Sequence, residues 1–510
     1  MMAGGGDPVE TEICAWLGAD ADRTIETACA HVFLGPETAF KMKRHVDLGY
    51  ADFSTPDKRL WALERELAFN KPAAPDIYRA IRKIGRGPGG ALAFDGPGEA
   101  LDYVLEMRRF DETKVLAADP DAVDGAMADA LGRTIAGFHA VAPLRAETGW
   151  SGMDYTVKSN ARLLRELAGQ LGEERVETLV ELTAAELARQ RPLLQARAAA
   201  GFARRCHGDL HLGNILVENG RPVLFDCIEF NDFLSDIDIQ YDLAFLLMDL
   251  DFRDRPAAAV RVLSAYLDEA GRTFGDGLWS GLAALPLMLS VRAGVRAHVS
   301  AHSDDDALGR AYVDFGIAQL SPAPPVLAAV GGLSGTGKST FARAIAPALG
   351  PAPGAVVLRT DEVRKRLMKV PPDARLPASA YAGDLVARTY DTAIENARAL
   401  LQAGRGVVLD ATFLDAGLRR RVEGLAADCG VAFHGVWLEA PLETLKARVS
   451  ARVGDASDAT ADTLDGQVAR LGGEVGWTRV DTSADTAAAA RSWLAEHFGS
   501  PHTRVAPEPR

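Results

Sequence analysis

Three side chains that could bind a metal ion and accept a proton, Asp209, Asn214 and Asp226, are gathered by a predicted β-hairpin. The dipeptide Asn219-Gly220 separates two short apolar runs and is typical of a two-residue turn with positive φ at both positions. Folding the chain there places Asn214 opposite Phe225, next to Asp226, with Asp209 on the loop just before the hairpin. Hard oxygen ligands that converge in this way suit Mg²⁺, which usually takes one or two carboxylates together with substrate phosphates. The pattern predicts a magnesium and phosphoryl-transfer site.

The spacing from Asp209 to Asn214 matches the D-x-x-x-x-N spacing of the protein-kinase catalytic loop, where the aspartate accepts the nucleophile's proton and the asparagine holds metal. Here the loop reads H-G-D-L-H-L-G-N, with Gly208 in place of the kinase arginine. It resembles the aminoglycoside phosphotransferase and choline-kinase-like families of small-molecule kinases. The resemblance implies that F-D-C-I-E-F stands where protein kinases have D-F-G, with Asp226 as principal metal ligand and Glu229 as a second candidate. A degenerate, non-catalytic copy of such a site is the alternative.

The N-terminal residues predict the nucleotide-binding lobe of that site. On the strand T-A-F-K-M-K, Lys41 and Lys43 share one face because side chains alternate with period two. In the kinase fold an A-x-K places its lysine on the α- and β-phosphates. Lys41 fits this pattern, and Lys43 stays an alternative. A helix is predicted to begin at Thr55-Pro56-Asp57. The segment that follows resembles bacterial aminoglycoside-phosphotransferase-related proteins, which favours Glu66 over Glu64 as the acid paired with the lysine.

The strand L-D-Y-V-L-E-M is predicted to lead to the hinge between two lobes. Its position in the kinase fold implies that the backbone of Glu106 and Met107 hydrogen-bonds adenine. Amphipathic helices predicted at roughly 121–141 and 157–198 form a helical C-lobe. Asp242 opens a further helix. There it either braces the catalytic loop, as an acid does in related kinases, or is a plain carboxylate at a helix N-terminus.

A second phosphate-binding pattern follows a short stiff linker, S-P-A-P-P at residues 321–325, which cannot continue a helix. A buried strand, Val326–Val330, leads into G-x-x-x-x-G-K-S and then a helix, and this context makes the P-loop pattern specific. Backbone N–H groups of such a loop surround phosphates, Lys338 reaches the β- and γ-phosphates, and Ser339 contacts Mg²⁺. The predicted nucleotide-binding residues of the loop are Gly332, Leu333, Ser334, Gly335, Thr336, Gly337, Lys338, Ser339 and Thr340.

The chain after the P-loop predicts a parallel sheet with the second site at one of its edges. Val356–Leu358 and Gly406–Leu409 are the next two predicted strands, and they alternate with helices. Ligands bind at the carboxyl ends of parallel strands, so Asp361 and Asp410 are expected to project toward the P-loop. Asp410 is the candidate metal- or water-holding acid.

The order of these motifs resembles the gluconate-kinase, polynucleotide-kinase and zeta-toxin-like group of P-loop kinases. Three segments carry the resemblance. The first is D-x-x-R at residues 361–364, and the second is D-A-T-F-L-D-A-x-x-R at residues 410–419, which ends at Arg419. The third is W-L-E-A-P-L-E-T-L-K-A-R-V-S-A-R at residues 437–452. The resemblance implies that Asp361 and Arg364 address the phosphate acceptor. It also implies that Arg448 and Arg452, four residues apart on one helix face, form a lid that stabilises charge on the transferring phosphoryl group. Ordinary solvated helix charge is the alternative for these two arginines.

Composition bounds the class of protein. The 510 residues are too many for one hydrophobic core, so two or three domains are expected. The net charge of -14 disfavours nucleic-acid binding, which needs a basic surface. Five cysteines without C-x-x-C spacing indicate free thiols in a reducing compartment. We see neither a signal peptide nor a run of the roughly 18 to 20 uninterrupted apolar residues that a membrane span needs, so the expected location is cytoplasmic, with no membrane partner.

These observations together predict a multidomain protein of α/β and α+β class. A protein-kinase-like, two-lobed domain of the aminoglycoside phosphotransferase type is followed by a P-loop kinase domain with a parallel sheet. The predicted boundaries are 1–320 for the first domain (N-lobe about 12–106, C-lobe about 107–320), 321–325 for the linker, 326–500 for the P-loop domain and 501–510 for a tail. The whole arrangement resembles a bacterial family of bifunctional aminoglycoside-phosphotransferase-like/ATP-binding proteins.

The predicted function is phosphoryl transfer from ATP, with Mg²⁺, to a hydroxyl group of a small molecule. Three other functions stay open. One half could be a non-catalytic nucleotide sensor that regulates the other. The P-loop half could phosphorylate nucleic-acid ends, which the negative charge disfavours. The first half could phosphorylate proteins, although it lacks a recognisable D-F-G/A-P-E activation segment. The acceptor and the oligomeric state are not predicted.

Overall fold

The protein is described here as a computed structural model, which covers residues 7–47, 51–147, 149–381, 383–451 and 461–499. The chain forms two compact units. Unit 1 contains the residues up to Ala122 together with Arg204–Ile237, and unit 2 contains Val123–Ala203 and the chain from Asp238 onward.

The helices and strands are numbered in chain order. The α-helices of the described residues are α1 Pro8–Gly18, α2 Pro56–Asn70, α3 Gly125–Val141, α4 Gly149–Glu166, α5 Ala168–Leu171, α6 Glu173–Ala199, α7 Asp232–Ser235, α8 Ile239–Phe252, α9 Pro256–Ala270, α10 Gly277–Ser280, α11 Leu285–His302, α12 Asp306–Gln319, α13 Lys338–Ile345, α14 Thr360–Leu367, α15 Gly383–Gln402, α16 Ala416–Cys429, α17 Leu442–Ser450, α18 Ala461–Arg470 and α19 Thr486–Phe498. The strands are β1 Arg23–Glu26, β2 Ala30–Leu34, β3 Thr38–Lys43, β4 Tyr78–Arg86, β5 Leu92–Phe94, β6 Asp102–Arg108, β7 Ala203–Arg205, β8 Ile215–Glu218, β9 Arg221–Leu224, β10 Asp236–Asp238, β11 Val326–Gly332, β12 Val356–Arg359, β13 Val407–Asp410, β14 Ala432–Glu439 and β15 Thr478–Asp481.

Unit 1 is built on a six-stranded sheet with the order β1-β2-β3-β6-β4-β5. Helix α2 packs on β4 and β6. It begins as predicted, with Pro56 in the first turn and the Thr55 side chain accepting a hydrogen bond from the Lys58 N–H. A buried cluster around Leu63, Tyr78 and Leu105 joins this helix to the sheet, and Leu216 of β8 belongs to the same cluster. The hairpin is thereby fixed against the sheet.

The predicted hairpin is confirmed in position and register. Strand β8 pairs antiparallel with β9, Ile215 lies opposite Leu224, and Glu218 lies opposite Arg221. The turn residues have the positive φ values that a tight turn of this kind requires, 51° at Asn219 and 73° at Gly220. The Phe225 N–H donates to the Asn214 carbonyl at 3.1 Å, so these two residues stand opposite each other as expected.

The helical part of unit 2 departs from the sequence prediction at one point. The helix expected at 121–141 is present as α3, but the one expected at 157–198 is wrong in extent. It is replaced by α4, the short α5 and α6. The interruption falls at Gly172, whose φ of 97° belongs to the left-handed region that helical residues do not adopt.

A five-stranded, all-parallel sheet forms the other part of unit 2, with the order β12-β13-β11-β14-β15. The three strands predicted from the sequence are its β11, β12 and β13, and two further strands, β14 and β15, complete it. Because β11 is central and β13 lies beside it, the loop after β11 and the end of β13 meet at the carboxyl edge of the sheet.

The helical part and the sheet part of unit 2 are packed together. The Val357 N–H of the edge strand β12 donates to the Ser264 hydroxyl of α9 at 3.1 Å, and Val260 of the same helix joins the hydrophobic core of the sheet. A covered sheet edge no longer offers unpaired backbone groups to other chains. The helical region before residues 321–325 and the sheet region after them therefore belong to one compact unit.

One helical segment in the described part of the chain, Gly277–His302, is long and apolar enough to cross a membrane. Within the protein 78% of its most apolar window is buried. A core helix of a globular domain has the same composition, because its sides all face other helices.

Candidate active sites

The first candidate site is a cavity of about 490 Å³ in unit 1. The strand face of β3, the end of β6, the loop that carries Asp209 and the segment after β9 line it. The predicted residues that reach this cavity are Lys41, Lys43, Met107, Asp209, Asp226 and Glu229.

Lys41 stands between two carboxylates at this cavity. Its Nζ lies 2.7 Å from Glu66 Oε1 on α2 and 2.7 Å from Asp226 Oδ1 after the hairpin. Burial alone would lower the pKa of Lys41, but the charges of Asp226 and Glu66 outweigh it and hold that pKa well above its usual range. Burial would raise the pKa of Glu66, yet the two neighbouring lysines lower it to about 2. The ion pairs keep Lys41 and Glu66 charged at neutral pH.

Lys43 has a different environment, although it shares the strand face with Lys41. Its side chain is 2% exposed, and its Nζ contacts Glu66 Oε2 at 2.7 Å and Glu229 Oε1 at 2.6 Å. Burial raises the pKa of Glu229 in spite of Lys43. The Asp226 side chain is 45% exposed. The geometry therefore favours Lys41 over Lys43 for phosphate contact, and Asp226 over Glu229 for a metal ion.

The loop before the hairpin holds Asp209 and Asn214 together. Asn214 Nδ2 donates to Asp209 Oδ2 at 2.9 Å and to the Asp209 carbonyl at 2.9 Å. His211 Nε2 lies 3.3 Å from the same Asp209 oxygen. The buried His207 ring is 2.8 Å from the Phe225 carbonyl and accepts a bond from the Asp209 N–H at 3.3 Å. Asp209 is thus oriented from both sides while its carboxylate lines the cavity.

Two positioning residues near Asp226 were missed by sequence reasoning. Asp226 has a φ of 64°, and its N–H donates to the Tyr78 hydroxyl at 3.0 Å. The next N–H, of Cys227, donates to Asn70 Oδ1 at 2.8 Å, and Asn70 Nδ2 donates in turn to the Glu66 carbonyl at 2.9 Å. Backbone strain of this kind persists where the surroundings fix it, and it clusters at functional sites. No local pattern signals Tyr78 or Asn70, because both act through distant contacts.

The predicted hinge residues both lie in central strand β6. Glu106 lies opposite Phe40 on β3 and Ala80 on β4, and Met107 lies opposite Ala39 on β3 and Tyr78 on β4. The cavity lining begins with Met107 and continues through Arg108, Arg109 and Phe110. Met107 therefore reaches the cavity, and the contact of Glu106 and Met107 with adenine stays a prediction.

The second candidate site is the P-loop between β11 and α13. Gly335 and Gly337 have φ values of 88° and 85°, and a Cβ would lie 2.8 Å from the Leu445 carbonyl oxygen at the first position and 2.6 Å from the Thr486 hydroxyl at the second. Glycine is therefore required at both positions. Lys338 Nζ donates to the Leu333 carbonyl at 3.0 Å, which keeps its ammonium group within the loop.

Predicted acids stand at the carboxyl edge of the sheet as expected. The Ser339 hydroxyl donates to Asp410 Oδ2 at 2.5 Å, and Arg359 Nε lies 3.4 Å from the same oxygen. Asp361 Oδ1 forms an ion pair with Arg364 Nη1 at 2.8 Å. Ser339 and Asp410, which are both predicted metal ligands, are thus hydrogen-bonded to each other, and Asp361 is paired with Arg364.

One of the two arginines of the predicted lid, Arg448, lies within the described residues. Arg448 Nη2 donates to the carbonyls of Ser483 and Ala484, at 3.0 Å each. Its partner in the prediction, Arg452, lies outside the described residues. Arg419 donates to the backbone carbonyls of Phe413, at 2.8 Å, and Gly472, at 2.6 Å, and so connects the loop before α16 to the loop after α18.

Sequence reasoning also missed Gln467. Its Oε1 accepts a bond from the Ser334 N–H at 2.8 Å, and its Nε2 donates to the Ser334 hydroxyl at 2.9 Å. A residue on α18 thereby orients the P-loop backbone. The separation of 133 residues between the two partners explains why no sequence pattern reveals the pair.

Both sites have a donor set that fits a nucleotide with Mg²⁺. In unit 1 Asn214 and Asp226 lie at the open end of the hairpin, and the Asp226 carboxylate contacts Lys41 of the strand. In unit 2 the Ser339 hydroxyl and the Asp410 carboxylate form a hydrogen-bonded pair at the N-terminus of α13. Oxygen ligands of these types suit Mg²⁺, and a helix N-terminus with a glycine-rich loop suits phosphate groups.

Comparison with known proteins identifies the class. Residues 43–278 match the family model "Phosphotransferase enzyme family" and residues 327–473 match the family model "AAA domain". The chain combines a kinase-like phosphotransferase domain with a P-loop kinase domain, as predicted from its motifs. These domains indicate ATP-dependent phosphoryl transfer to a small molecule.

The chain belongs to the same two-domain family as an uncharacterized protein of Mycobacterium tuberculosis (strain ATCC 25618 / H37Rv), with which it is 32% identical over 476 residues. An uncharacterized protein of Mycobacterium bovis (strain ATCC BAA-935 / AF2122/97) shows the same identity. Each alignment covers 90% of this chain and 92% of the relative.

Two solved structures resemble separate parts of the chain. A gluconokinase from Sinorhizobium meliloti 1021 is 24% identical, and the match covers 34% of this chain and 91% of that chain with a TM-score of 0.25. The GDP complex of aminoglycoside 2'-phosphotransferase-IIIa is 13% identical, and the match covers 61% of this chain and 96% of that chain with a TM-score of 0.36.

Proposed function

We propose that this protein is a phosphotransferase with two ATP- and Mg²⁺-dependent sites, each of which transfers a γ-phosphoryl group to a hydroxyl of a small molecule. The observation that supports the proposal is the gathering, in each unit, of side chains of the types that contact phosphate and bind Mg²⁺. Lys41, Asp209 and Asp226 meet at the cavity of unit 1. Lys338 and the Ser339–Asp410 pair meet at the P-loop of unit 2.

At the first site, bound ATP with Mg²⁺ supplies the phosphoryl group and the charge that neutralises it. Lys41 contacts the phosphates and is oriented by Glu66. Asn214 and Asp226 hold the metal ion. Asp209, fixed by Asn214, orients the acceptor hydroxyl and accepts its proton. Phosphoryl transfer depends mostly on positioning and electrostatics, so the rate depends on where these side chains are placed more than on covalent chemistry by the protein.

At the second site, the P-loop backbone and Lys338 bind the phosphates, while Ser339 and Asp410 hold the metal ion. The Asp361–Arg364 pair addresses the acceptor hydroxyl. Arg448, with Arg452, acts as the lid. In the structure Arg448 donates to the backbone carbonyls of Ser483 and Ala484. To act as a lid it would exchange these two bonds for bonds to the transferring phosphoryl group.

The proposal extends to the setting of the enzyme. We assign the first domain to residues 1–320 and the second to residues 326–500, a cytoplasmic location, and small-molecule substrates without nucleic acid. The negative net charge of -14 supports the exclusion of nucleic acid, since no phosphate backbone would be attracted to the protein as a whole.

The deciding experiment separates the two sites. Purified Asp209→Asn, Lys338→Ala and the double variant are incubated with ATP, Mg²⁺ and a pool of hydroxyl metabolites, and phosphorylated products are identified by mass spectrometry. We expect each single variant to lose a different product and the double variant to lose all turnover. Turnover that persists in the double variant would refute the proposal.

A regulatory role for one domain is the second candidate. The packing of helical and P-loop regions within unit 2 favours it, since such packing can transmit a nucleotide-dependent change. It predicts that one of the two single variants abolishes all products, while the other still binds nucleotide and alters the affinity for substrate.

A further inference from the structure

A second cavity, of about 310 Å³, lies inside unit 2 between its helical and P-loop regions. Helices α3 and α9 form one side, and α13, the end of β12 and the first turn of α14 form the other. The lining does not include Lys338, Ser339 or Asp361, so this cavity is separate from the proposed P-loop site. Its apolar wall is made of Val123, Ala128, Ala257, Ala258, Val260, Ala265, Ala344 and Val357.

The polar side of the cavity carries arginines that share carboxylates. Asp129 receives a bidentate bond from Arg261, at 2.8 Å and 2.7 Å, and also faces Arg343 Nη2 at 3.9 Å. On the opposite side, Glu362 Oε1 faces Arg133 Nη2 at 3.4 Å and Arg359 Nη1 at 3.8 Å. Each of these carboxylates thus serves two guanidinium groups.

The two other acids in the lining are engaged elsewhere. Asp268 pairs at 3.3 Å with Arg366, which is outside the lining. Asp124 caps α3 through the Met127 N–H at 2.8 Å. Four arginines and four acids line the cavity, so its total charge is balanced, but Arg343 and Arg133 each share their carboxylate with a second arginine.

Of the four arginines in the lining, Arg343 has the longest ion pair to a carboxylate. Its side chain is 32% exposed, and its ion pair with Asp129 is long at 3.9 Å. Burial, together with the positive charges of Arg359 and Arg261, lowers the pKa of Arg343, and the charges of Asp129 and Asp410 oppose this shift. An anion placed beside Arg343 would add to the effect of these two carboxylates.

We propose that this cavity binds a small organic phosphate monoester, with the phosphate beside Arg343 and Arg133 and the uncharged part against the apolar wall. Guanidinium groups match phosphate oxygens in pairs, which gives geometric as well as electrostatic selectivity. A largely apolar cavity with a few convergent charged groups is the usual form of a small-molecule site.

The cavity is connected to the P-loop through two structural elements. Arg343 lies on α13, the helix that begins with Lys338 and Ser339. Arg359 of the cavity wall lies 3.4 Å from Asp410, which accepts the hydrogen bond from Ser339. A ligand that draws Arg343 or Arg359 toward it changes the surroundings of the P-loop. Ligand and nucleotide must then alter each other's affinity by the same factor.

Phenyl phosphate is a suitable probe, because it joins a phosphate to an apolar ring. It is titrated by calorimetry into the full-length protein saturated with Mg²⁺ and a non-hydrolysable ATP analogue, which occupies the nucleotide sites. We expect saturable binding that is tighter than that of inorganic phosphate. Arg343→Met should weaken it by about tenfold, since one charged hydrogen-bonding group is lost. Arg343→Lys should weaken the binding of phenyl phosphate less than Arg343→Met does.

Arg491→Met is the matched control. Arg491 also lies 3.9 Å from an aspartate, Asp485, but stands on α19 away from the cavity, and its variant should bind like the wild type. Arg133→Met supplies a second test with the same expected loss if the Arg343 variant fails to fold.

Three outcomes would overturn the proposal: no saturable binding of phenyl phosphate, binding that saturating nucleotide abolishes, or binding that both arginine variants leave unchanged. An unaltered nucleotide affinity at saturating phenyl phosphate would overturn the coupling. The measurements require nucleotide binding and no turnover, so they do not depend on the two-site kinase proposal.

Discussion

The Asn214 side chain donates its amide hydrogens to Asp209, at 2.9 Å from Nδ2 to Oδ2 and 2.9 Å to the Asp209 carbonyl. The side-chain nitrogen of Asn214 is therefore occupied by its hydrogen bonds to Asp209, the candidate catalytic base. In the proposed mechanism the side-chain oxygen of Asn214 holds the metal ion. One side chain would then couple the position of the base to the position of the metal ion.

Replacing Asn214 with leucine should remove both effects. In a Lys338→Ala background, which silences the second site, we expect turnover at the first site to fall by about 100-fold or more, because positioned groups of this kind each contribute on that order. The free energy of unfolding should fall by about 1 kcal/mol, the value of a typical hydrogen bond. Steady-state kinetics and urea unfolding give the two numbers. A loss confined to stability would assign Asn214 a structural role.

Lys41 and Lys43 should separate activity from stability. Lys41→Met removes the phosphate contact, and we expect turnover at the first site to fall by about 100-fold or more. The loss of stability should be smaller than for Lys43→Met, because one of the two partners of Lys41, Asp226, is 45% exposed. Lys43→Met leaves Glu229 and one oxygen of Glu66 buried without their cation, so the free energy of unfolding should fall by about 3–5 kcal/mol.

The control for the second effect is the double variant Lys43→Met/Glu229→Gln. Removing the charge of Glu229 should restore part of the lost stability, as measured by urea unfolding. If Lys43→Met is as stable as the wild type but inactive, the assignment of the two lysines is reversed.

Gln467 should support nucleotide binding at the P-loop. In Gln467→Leu the Ser334 N–H loses its acceptor, and the loop that surrounds the phosphates is less well ordered. We expect the affinity for a fluorescent ATP analogue, measured in a Lys41→Met background, to fall by about fivefold, the equivalent of about 1 kcal/mol.

Gln402→Leu, at an exposed position on α15, is the matched control for Gln467 and should bind nucleotide normally. Equal affinity of both glutamine variants would show that the Ser334 contacts are incidental to binding.

The sequence predicts those features of the fold that depend on local geometry. The Asn219-Gly220 turn determines the register of the hairpin, and the P-loop glycines determine the strand–loop–helix unit, so both appear where expected. The helix expected at 157–198 was wrong because Gly172 was not recognised as a break, although left-handed glycines are common at helix ends.

The sequence could not determine contacts between distant parts of the chain. Lys41 and Lys43 are equivalent by strand periodicity, and the packing of α2 and the hairpin decides which lysine meets Asp226 and which meets Glu229. The support of Asp226 by Tyr78, and of Ser334 by Gln467, joins residues more than a hundred positions apart. The packing of α9 on β12 was likewise invisible, because an Ala-rich amphipathic helix does not indicate its partner.

Asp268, on α9, should make stability depend on pH. Burial and the neighbouring charge of Glu362 raise the pKa of Asp268 from 3.8 to about 7, although Arg366, Arg359 and Arg133 oppose the shift. A carboxyl group whose pKa is higher in the folded protein binds more protons there. Its contribution to stability is therefore complete below about pH 4 and is lost as the pH rises to about 7.

Asp268→Asn carries no titratable proton at this position. The free energy of unfolding of this variant, relative to the wild type, should therefore rise between pH 4 and pH 7 and stay constant at higher pH. Urea unfolding at a series of pH values measures the difference, with the exposed Asp314→Asn as the control for effects of net charge. A pH-independent difference for Asp268→Asn would mean that the Arg366 ion pair, and not burial, determines the charge state of Asp268 in the folded protein.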